Sequence, residues 1–284
     1  MHVLFAHLLA LAPLHQGLGA GERIRLEISD GPALEVRAFW EDFRSSRYRL
    51  FEQYPELRGF APACERREVE AAAFRTLLPA EPVAVGDTWE LGAESALVFL
   101  RQLHPGARSE LHHAGVAAPG AYGCLAAWSE ERALVALRIH AEFVLAEDER
   151  GRKSWLTPAQ FAGTLVLDRK RGAVLGFELA LPPRDTNVDV NVPFRGDGPE
   201  GSYGLADIGF IPRMQLLGGD VAFAGSTWQH ALPEQEVRWR LARRFYAAAA
   251  IDWLPFPEAV ARARARSLPL FALMLFGTLD DESC

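Results

Sequence analysis

The segment that decides the fold is Pro269-Leu-Phe-Ala-Leu-Met-Leu-Phe276, followed by Gly277-Thr-Leu-Asp-Asp-Glu-Ser-Cys284. Seven of its first eight residues are apolar and no polar residue alternates with them. This pattern predicts a strand that is buried on both faces of a sheet. The run is too short to cross a bilayer, because a membrane-spanning helix needs about 20 apolar residues.

The sequence before this strand predicts a helix and a further short strand. Phe256-Pro-Glu-Ala-Val-Ala-Arg-Ala-Arg-Ala-Arg266 is rich in helix-forming alanine and arginine, and Pro257 suits a first helical turn. Ala250-Ile-Asp-Trp-Leu254 is a strand candidate. Strand, helix and strand in this order form a βαβ unit. In thioredoxin-like folds the second strand leads into a redox cysteine, and here Ser283-Cys284 stands at that point.

Three interpretations of Cys284 are open. It is an idle terminal residue, or the chain is a fragment of a longer protein, or the next codon is UGA and is translated as selenocysteine. An acidic run at 280–282 precedes it, and negative charge disfavours a thiolate nearby.

The segment Gly277 to Cys284 resembles the part of the selenoprotein N family that leads into its Ser-Cys-Sec-Gly motif. Four upstream segments also look like signature segments of this family, in the family's order: Arg138-Ile-His-Ala-Glu-Phe-Val-Leu145, Trp155-Leu-Thr-Pro-Ala-Gln-Phe-Ala-Gly163, Asn187-Val-Asp-Val190 and Asp207-Ile-Gly-Phe-Ile-Pro-Arg-Met214. The resemblance covers roughly residues 80–284. It implies a thioredoxin-like redox protein with a protein thiol or disulfide partner. It also favours the third interpretation, in which selenocysteine follows Cys284.

The composition is that of an ordinary globular protein. The 284 residues, of which 49% are hydrophobic and 24% charged, suffice for two domains. A net charge of −7 gives no basic surface for nucleic acid. All basic residues except Lys153 and Lys170 are arginine, a bias that indicates a GC-rich genome and hence a bacterial-type homologue.

The N-terminus predicts export. Met1-His-Val-Leu-Phe-Ala-His-Leu-Leu-Ala-Leu-Ala12 has the apolar length of a signal peptide, and Gly17, Gly19 and Ala20 are small residues suited to cleavage. We therefore expect a periplasmic or other extracytoplasmic location. No Lys or Arg precedes the apolar run, so the alternatives are a short buried helix or a wrongly assigned start codon, and in the latter case the protein is cytoplasmic. Membrane anchoring, known in the family, is doubtful because this short segment is its only candidate here.

The predicted fold class is α+β. After a possible signal peptide at 1–20, a β-rich domain at 21–232 precedes the start of a thioredoxin-like domain at 233–284, incomplete in this sequence. The boundary falls at Pro233, where the apolar pattern changes to a helical period. The apolar helix face is expected to contain Val237, Leu241, Phe245 and Ala248.

The β-rich domain contains one long alternating segment, from Ala133 to Leu145. It predicts a single strand with Ile139 and Phe143 on the core face. The other face carries Arg138, His140 and Glu142 toward solvent or a partner. On this basis Phe143→Ala costs roughly 3–5 kcal/mol, whereas His140→Ala is near neutral.

Two hairpins are also predicted in this domain. One joins residues 23–28 to 34–40 through a turn at 29–32. The other joins 160–167 to 173–181, with Gly172 free to adopt a positive φ.

The predicted site residues are Cys284, as the catalytic thiol beside the missing selenocysteine, and Ser283 as its motif neighbour. Cys124 lies in an apolar strand and is expected to be a buried small hydrophobic residue, whereas Cys64 follows a proline in a loop. Pairing of these two cysteines is an open alternative. No cofactor is expected, and the calcium-binding EF-hand of eukaryotic relatives is absent from the sequence.

Several histidines and Glu142 are residue types that bind metals. No pair of them has the spacing of a known metal-binding motif, so a metal site is not predicted. These histidines are His104, His112, His113 and His140. The function that the resemblance implies is that of a thiol/selenol oxidoreductase, and the alternative is a non-catalytic, exported, β-rich binding or interaction protein.

Overall fold

A computed structural model describes residues 21–41, 59–109, 120–158, 160–182, 188–193, 203–209, 211–220, 227–245 and 254–272. In chain order the strands are β1 Leu34–Trp40, β2 Arg66–Val69, β3 Thr88–Glu90, β4 Ala107–Ser109, β5 Ala121–Trp128, β6 Arg132–Ile139, β7 Ala141–Glu147, β8 Lys153–Pro158, β9 Phe161–Asp168, β10 Ala173–Ala180, β11 Val188–Pro193, β12 Tyr203–Gly209, β13 Met214–Gly219 and β14 His230–Ala231. The helices are α1 Ala71–Arg75, α2 Ala93–Leu100, α3 Glu234–Phe245 and α4 Phe256–Arg266. Strands dominate, as the β-rich pattern of the sequence predicts.

The strands form two antiparallel sheets. The larger sheet has nine strands in the order β14-β5-β6-β9-β10-β13-β1-β2, with β3 paired to β5. The smaller sheet has five strands in the order β12-β11-β8-β7-β4. Antiparallel neighbours can be joined by short turns, which agrees with the many turn signals in the sequence.

One large hydrophobic core draws side chains from both sheets and from α1 and α2. Phe74 of α1, Phe99 of α2 and Phe177 of β10 form a triplet of rings with centroids 4.8–5.3 Å apart. Large buried rings contribute strongly to core energetics. The triplet therefore attaches both short helices to the nine-stranded sheet.

The predicted hairpin at 160–181 is confirmed by β9 and β10, which pair in antiparallel register. Gly172 has a φ of 60° in the turn, and a Cβ there would lie 2.5 Å from Ser29 Oγ. The backbone N–H of Ser29 donates to the Gly172 carbonyl at 2.8 Å. Glycine is thus required by both conformation and close approach.

The predicted hairpin at 23–40 is wrong. Strand β1 pairs with β13 and β2, while Ile24 forms an isolated bridge with Val83. Each segment alternates as a strand should, but alternation does not specify the partner. Residues distant in the chain provide the pairing instead.

The long alternating segment is two strands, because the chain changes sheet at His140. Strand β6 belongs to the nine-stranded sheet and β7 to the five-stranded sheet. Ile139 and Phe143 are in the core, as predicted. The polar face is not directed to solvent: Arg138, His140 and Glu142 are only 4%, 1% and 0% exposed.

Helix α4 has the bounds that the sequence predicts, with Pro257 in its first turn. Residues 269–272, expected to begin a buried strand, are not in a strand, and Leu270 and Phe271 are exposed. The rest of that segment and residues 250–253 lie outside the described residues, so the βαβ unit stays a prediction. Of the helices described here, none is long and apolar enough to cross a membrane.

Candidate functional site

The predicted redox residues Ser283 and Cys284 lie outside the described residues. The other two cysteines are free thiols. Cys64 is exposed, and its Sγ–H donates to the Arg66 carbonyl at 2.9 Å. Cys124 is fully buried on β5, which confirms its expected role as a small hydrophobic residue.

Burial raises the pKa of the Cys124 thiol to about 12, while the charge of the nearby Arg240 acts in the opposite direction. The thiolate is the nucleophilic form of cysteine. Cys124 is therefore held as an unreactive thiol at neutral pH.

The histidines considered as metal ligands do not come together. His104 lies beside Trp40 and Phe143, and burial lowers its pKa from the usual value. His140 lies where the chain crosses between the sheets, whereas His112 and His113 are outside the described residues. Within the described ranges, no three His, Cys, Asp or Glu side chains are grouped as a metal site would require.

The most unusual chemistry in the described structure is a buried polar cluster at the sheet crossing. Arg138 Nε donates to His140 Nε2 at 2.8 Å. Because arginine can only donate, His140 Nε2 is the acceptor, and a neutral His140 carries its proton on Nδ1. Two residues further on, Glu142 forms an ion pair with Arg108 of β4. Buried charges require such partners, since an uncompensated one strongly destabilises the folded state.

Helix α3 covers the His140 ring of this cluster. The Phe245 ring lies parallel to the His140 ring, with centroids 3.4 Å apart and an interplanar angle of 6°. The helix forms because its apolar residues recur at helical spacing, with acidic residues in its first turn and Arg243 and Arg244 in its last. The sequence prediction for Val237, Leu241 and Phe245 is confirmed, since all three are buried; Ala248 lies outside the described residues.

The apolar face of α3 packs on the outer face of β5 and forms a second, smaller hydrophobic cluster. The buried members are Tyr122, Cys124, Ala126, Val237, Leu241 and Phe245. Around its edge, the Arg244 guanidinium lies 5.5 Å from the centre of the Tyr122 ring. Arg240 Nη1 donates to the Gly86 carbonyl at 3.2 Å, and Arg240 Nε donates to Glu236 at 2.9 Å. These contacts hold α3 against β5 and the Gly86 turn.

Sequence reasoning assigned the polar face of residues 133–145 to solvent or a partner and did not identify this cluster. The available signal was chemical: an arginine, a histidine and a glutamate alternate within Arg138-Ile-His-Ala-Glu142, between strongly apolar neighbours. The cluster can hold oriented hydrogen bonds and position a helix. Its hydrogen bond, ion pair and ring stacking are structural contacts, and a redox role for Cys284 stays a prediction from the sequence.

Comparison with known proteins gives one consistent result. The chain is similar to "Selenoprotein N" of Danio rerio, with 28% identity over 271 residues, covering 78% of this chain and 48% of the relative. It is similar to "Selenoprotein N" of Homo sapiens and Mus musculus, with 33% and 31% identity over 192 residues and 58% of this chain. The chain thus spans about half of the zebrafish relative and about one third of the human and mouse relatives. No family model and no solved structure matches it.

Proposed function

We propose that this chain, which is similar over 58–78% of its length to three selenoproteins N, is a selenoprotein N-like protein that acts in thiol/selenol redox exchange with a protein disulfide. Its redox pair is Cys284 and a selenocysteine that follows it, with Ser283 as the preceding residue of a Ser-Cys-Sec-Gly motif. Residues 233–284 begin the thioredoxin-like domain that holds this pair. The similarity to three selenoproteins N carries the proposal.

The other cysteines support this assignment by their own properties. Cys124 is buried, and its pKa of about 12 opposes thiolate formation. Cys64 is on a loop, where its thiol is bonded to a backbone carbonyl. The resemblance assigns a redox motif to Cys284 and to neither of these two.

The proposed exchange transfers two electrons. The selenolate attacks one sulfur of the partner disulfide and displaces the other as a thiolate, which takes up a proton. The Cys284 thiol then loses its proton and attacks the selenium, which releases the partner as a dithiol and leaves a selenium–sulfur bond between adjacent residues. Such a bond between neighbours differs from ordinary disulfide geometry and is expected to be readily reduced. The acidic residues at 280–282 disfavour a Cys284 thiolate, so the selenol is the better attacking group.

The test uses the full chain extended through the downstream reading frame, with selenocysteine replaced by cysteine. We expect Cys284 and its neighbour to be oxidised and reduced reversibly by a dithiol, as measured by the mass added on thiol alkylation across a series of redox buffers. Cys284→Ser should abolish the couple, and the matched control Cys64→Ser should leave its midpoint unchanged. A Cys284→Ser variant that still cycles would show that the active pair lies elsewhere. A downstream frame that does not continue from a UGA codon into glycine would instead support a non-catalytic binding protein.

A further inference from the structure

We propose that α3 is a detachable helix: it undocks from the nine-stranded sheet while both sheets stay folded, and Cys124 becomes reactive toward thiol reagents only in the undocked state. This inference does not depend on the redox proposal. It concerns the attachment of the helix that precedes residues 246–284. The observation behind it is that the described residues form two hydrophobic clusters and that the helix belongs to the smaller one.

The smaller cluster is an independent packing unit. Val237, Leu241 and Phe245 pack with side chains on the outer face of β5, whereas the large core draws on the inner faces of both sheets and on α1 and α2. Among the described residues, α3 contributes none to the large core. Regions with few buried apolar contacts of their own open more readily than the global core.

The residues before α3 stay attached to the sheet through β14 and Leu232, and the junction of Leu232 and Pro233 can act as a hinge. Strand β14 has only two residues, both paired with the edge of β5, and the next residue, Leu232, donates its N–H to the Ala126 carbonyl at 3.0 Å. Pro233 then precedes the first residue of the helix. Rotation at the junction of Leu232 and Pro233 would move α3 away and leave β14 paired in the sheet.

Two contacts across the interface hold α3 in its docked position. Phe245 stacks on His140, and Arg240 Nη1 reaches the Gly86 carbonyl. Arg240 itself is only part-buried, and its ion pair with Glu236 lies within the helix. That ion pair can therefore persist when the helix leaves the sheet.

Cys124 is a natural reporter of this motion. It has no exposed surface in the docked state and belongs to the cluster that α3 covers. Val237, Leu241 and Phe245 of α3 belong to the same buried cluster as Cys124, so the helix covers the face of β5 that carries the sulfur. A reagent can reach this sulfur through undocking of α3 or through global unfolding.

Labelling kinetics distinguish these two routes. In the 284-residue chain carrying Cys64→Ser and Cys284→Ser, Cys124 is the single cysteine. Its reaction with an aromatic disulfide reagent is followed at pH 8 over a series of low guanidinium concentrations. We expect the rate of Cys124 labelling to depend only weakly on guanidinium concentration. We also expect this rate to exceed the rate that global unfolding alone would permit. Leu241→Ala should accelerate it on the order of 100-fold, by loss of a buried leucine from the interface. The exposed control Gln235→Ala should leave the rate within about twofold, since surface changes are usually small.

A variant in the large core provides the opposing control. Leu165→Ala should lower the midpoint of global unfolding, measured by tryptophan fluorescence, and leave Cys124 labelling without denaturant within about twofold. If labelling instead follows global unfolding in the parent and accelerates equally in Leu165→Ala and Leu241→Ala, the proposal is overturned. If Leu241→Ala does not fold, the labelling rate of the parent protein still decides the question. The rate rises steeply with guanidinium if labelling requires global unfolding, and only slightly if it requires undocking of α3, because undocking exposes less surface.

Discussion

Replacement of His140 by alanine tests the buried polar cluster most directly. The substitution removes a ring stacked on Phe245 and the acceptor of a hydrogen bond from Arg138. An aromatic pair contributes about 0.5–1.5 kcal/mol beyond area burial, and a hydrogen bond to a charged group about 1.5–3 kcal/mol. Together they predict a loss of roughly 2–4.5 kcal/mol in the free energy of unfolding. The alternating pattern alone, with His140 facing solvent, predicts almost no loss.

Two further histidine variants divide this loss into its causes. His140→Phe keeps a ring against Phe245 but removes the acceptor of the Arg138 hydrogen bond. It should therefore lower the free energy of unfolding by about 1–3 kcal/mol, the cost of leaving a buried donor without its acceptor. His230→Ala is the matched control, because His230 also stacks on an aromatic ring, that of Trp128 at 4.5 Å, but is exposed. It should cost less than about 1 kcal/mol.

The measurement is equilibrium unfolding in urea, followed by tryptophan fluorescence, with the midpoint and slope fitted for each variant. A change in stability alone moves the midpoint and leaves the slope unchanged. A His140→Ala midpoint equal to that of the parent, or a loss no larger than that of His230→Ala, would refute the assignment of His140 to a buried, hydrogen-bonded position.

Three further predictions follow from the site and from the sequence. Phe143→Ala should cost roughly 3–5 kcal/mol in the same urea assay, because the ring is fully buried in the large core; a loss below 1 kcal/mol would contradict that placement. The free energy of unfolding should fall as the pH rises above about 8.5, where the unfolded Cys124 thiol ionises while the folded one, with a pKa of about 12, keeps its proton; Cys124→Ala should reduce this slope, by at most about 1.4 kcal/mol per pH unit, in urea titrations at each pH. If residues 1–20 are a signal peptide, protein from the native host should begin between Gly17 and Gly21 on N-terminal sequencing, and an intact Met1 on cytoplasmic protein would remove the expectation of export.

Local patterns predicted the elements whose folding depends on neighbours in the chain. The bounds of α4 follow from its composition and Pro257, and the β9–β10 hairpin follows from alternation around a glycine turn. The buried face of α3 follows from helical spacing. In each case the deciding sequence pattern lies within about 20 residues, so a short window contains the information.

Predictions failed where the outcome depends on distant partners. Alternation from Ala133 to Leu145 is continuous, and nothing within it marks His140 as the point of transfer between sheets. The pattern predicts a polar face toward solvent or a partner. Phe245, the residue that covers His140 on this face, is more than 100 residues away in the sequence. The pairing of Ile24 with Val83 is equally non-local. A period of two determines which residues share a face, but not what lies opposite that face.

Backbone geometry explains why the polar cluster lies at the sheet crossing. His140 is in neither strand, and its N–H donates to the Gly120 carbonyl at 2.6 Å instead of to a ladder partner. Arg138 lies on the face opposite the core residue Ile139, and its Nε donates to the His140 ring that Phe245 of α3 covers. Hydrogen bonds and ion pairs require fixed directions and penalise misplacement strongly. We infer that the hydrogen bond from Arg138 fixes the orientation of the His140 ring on which Phe245 stacks, and that the apolar residues of α3 supply the energy of its docking.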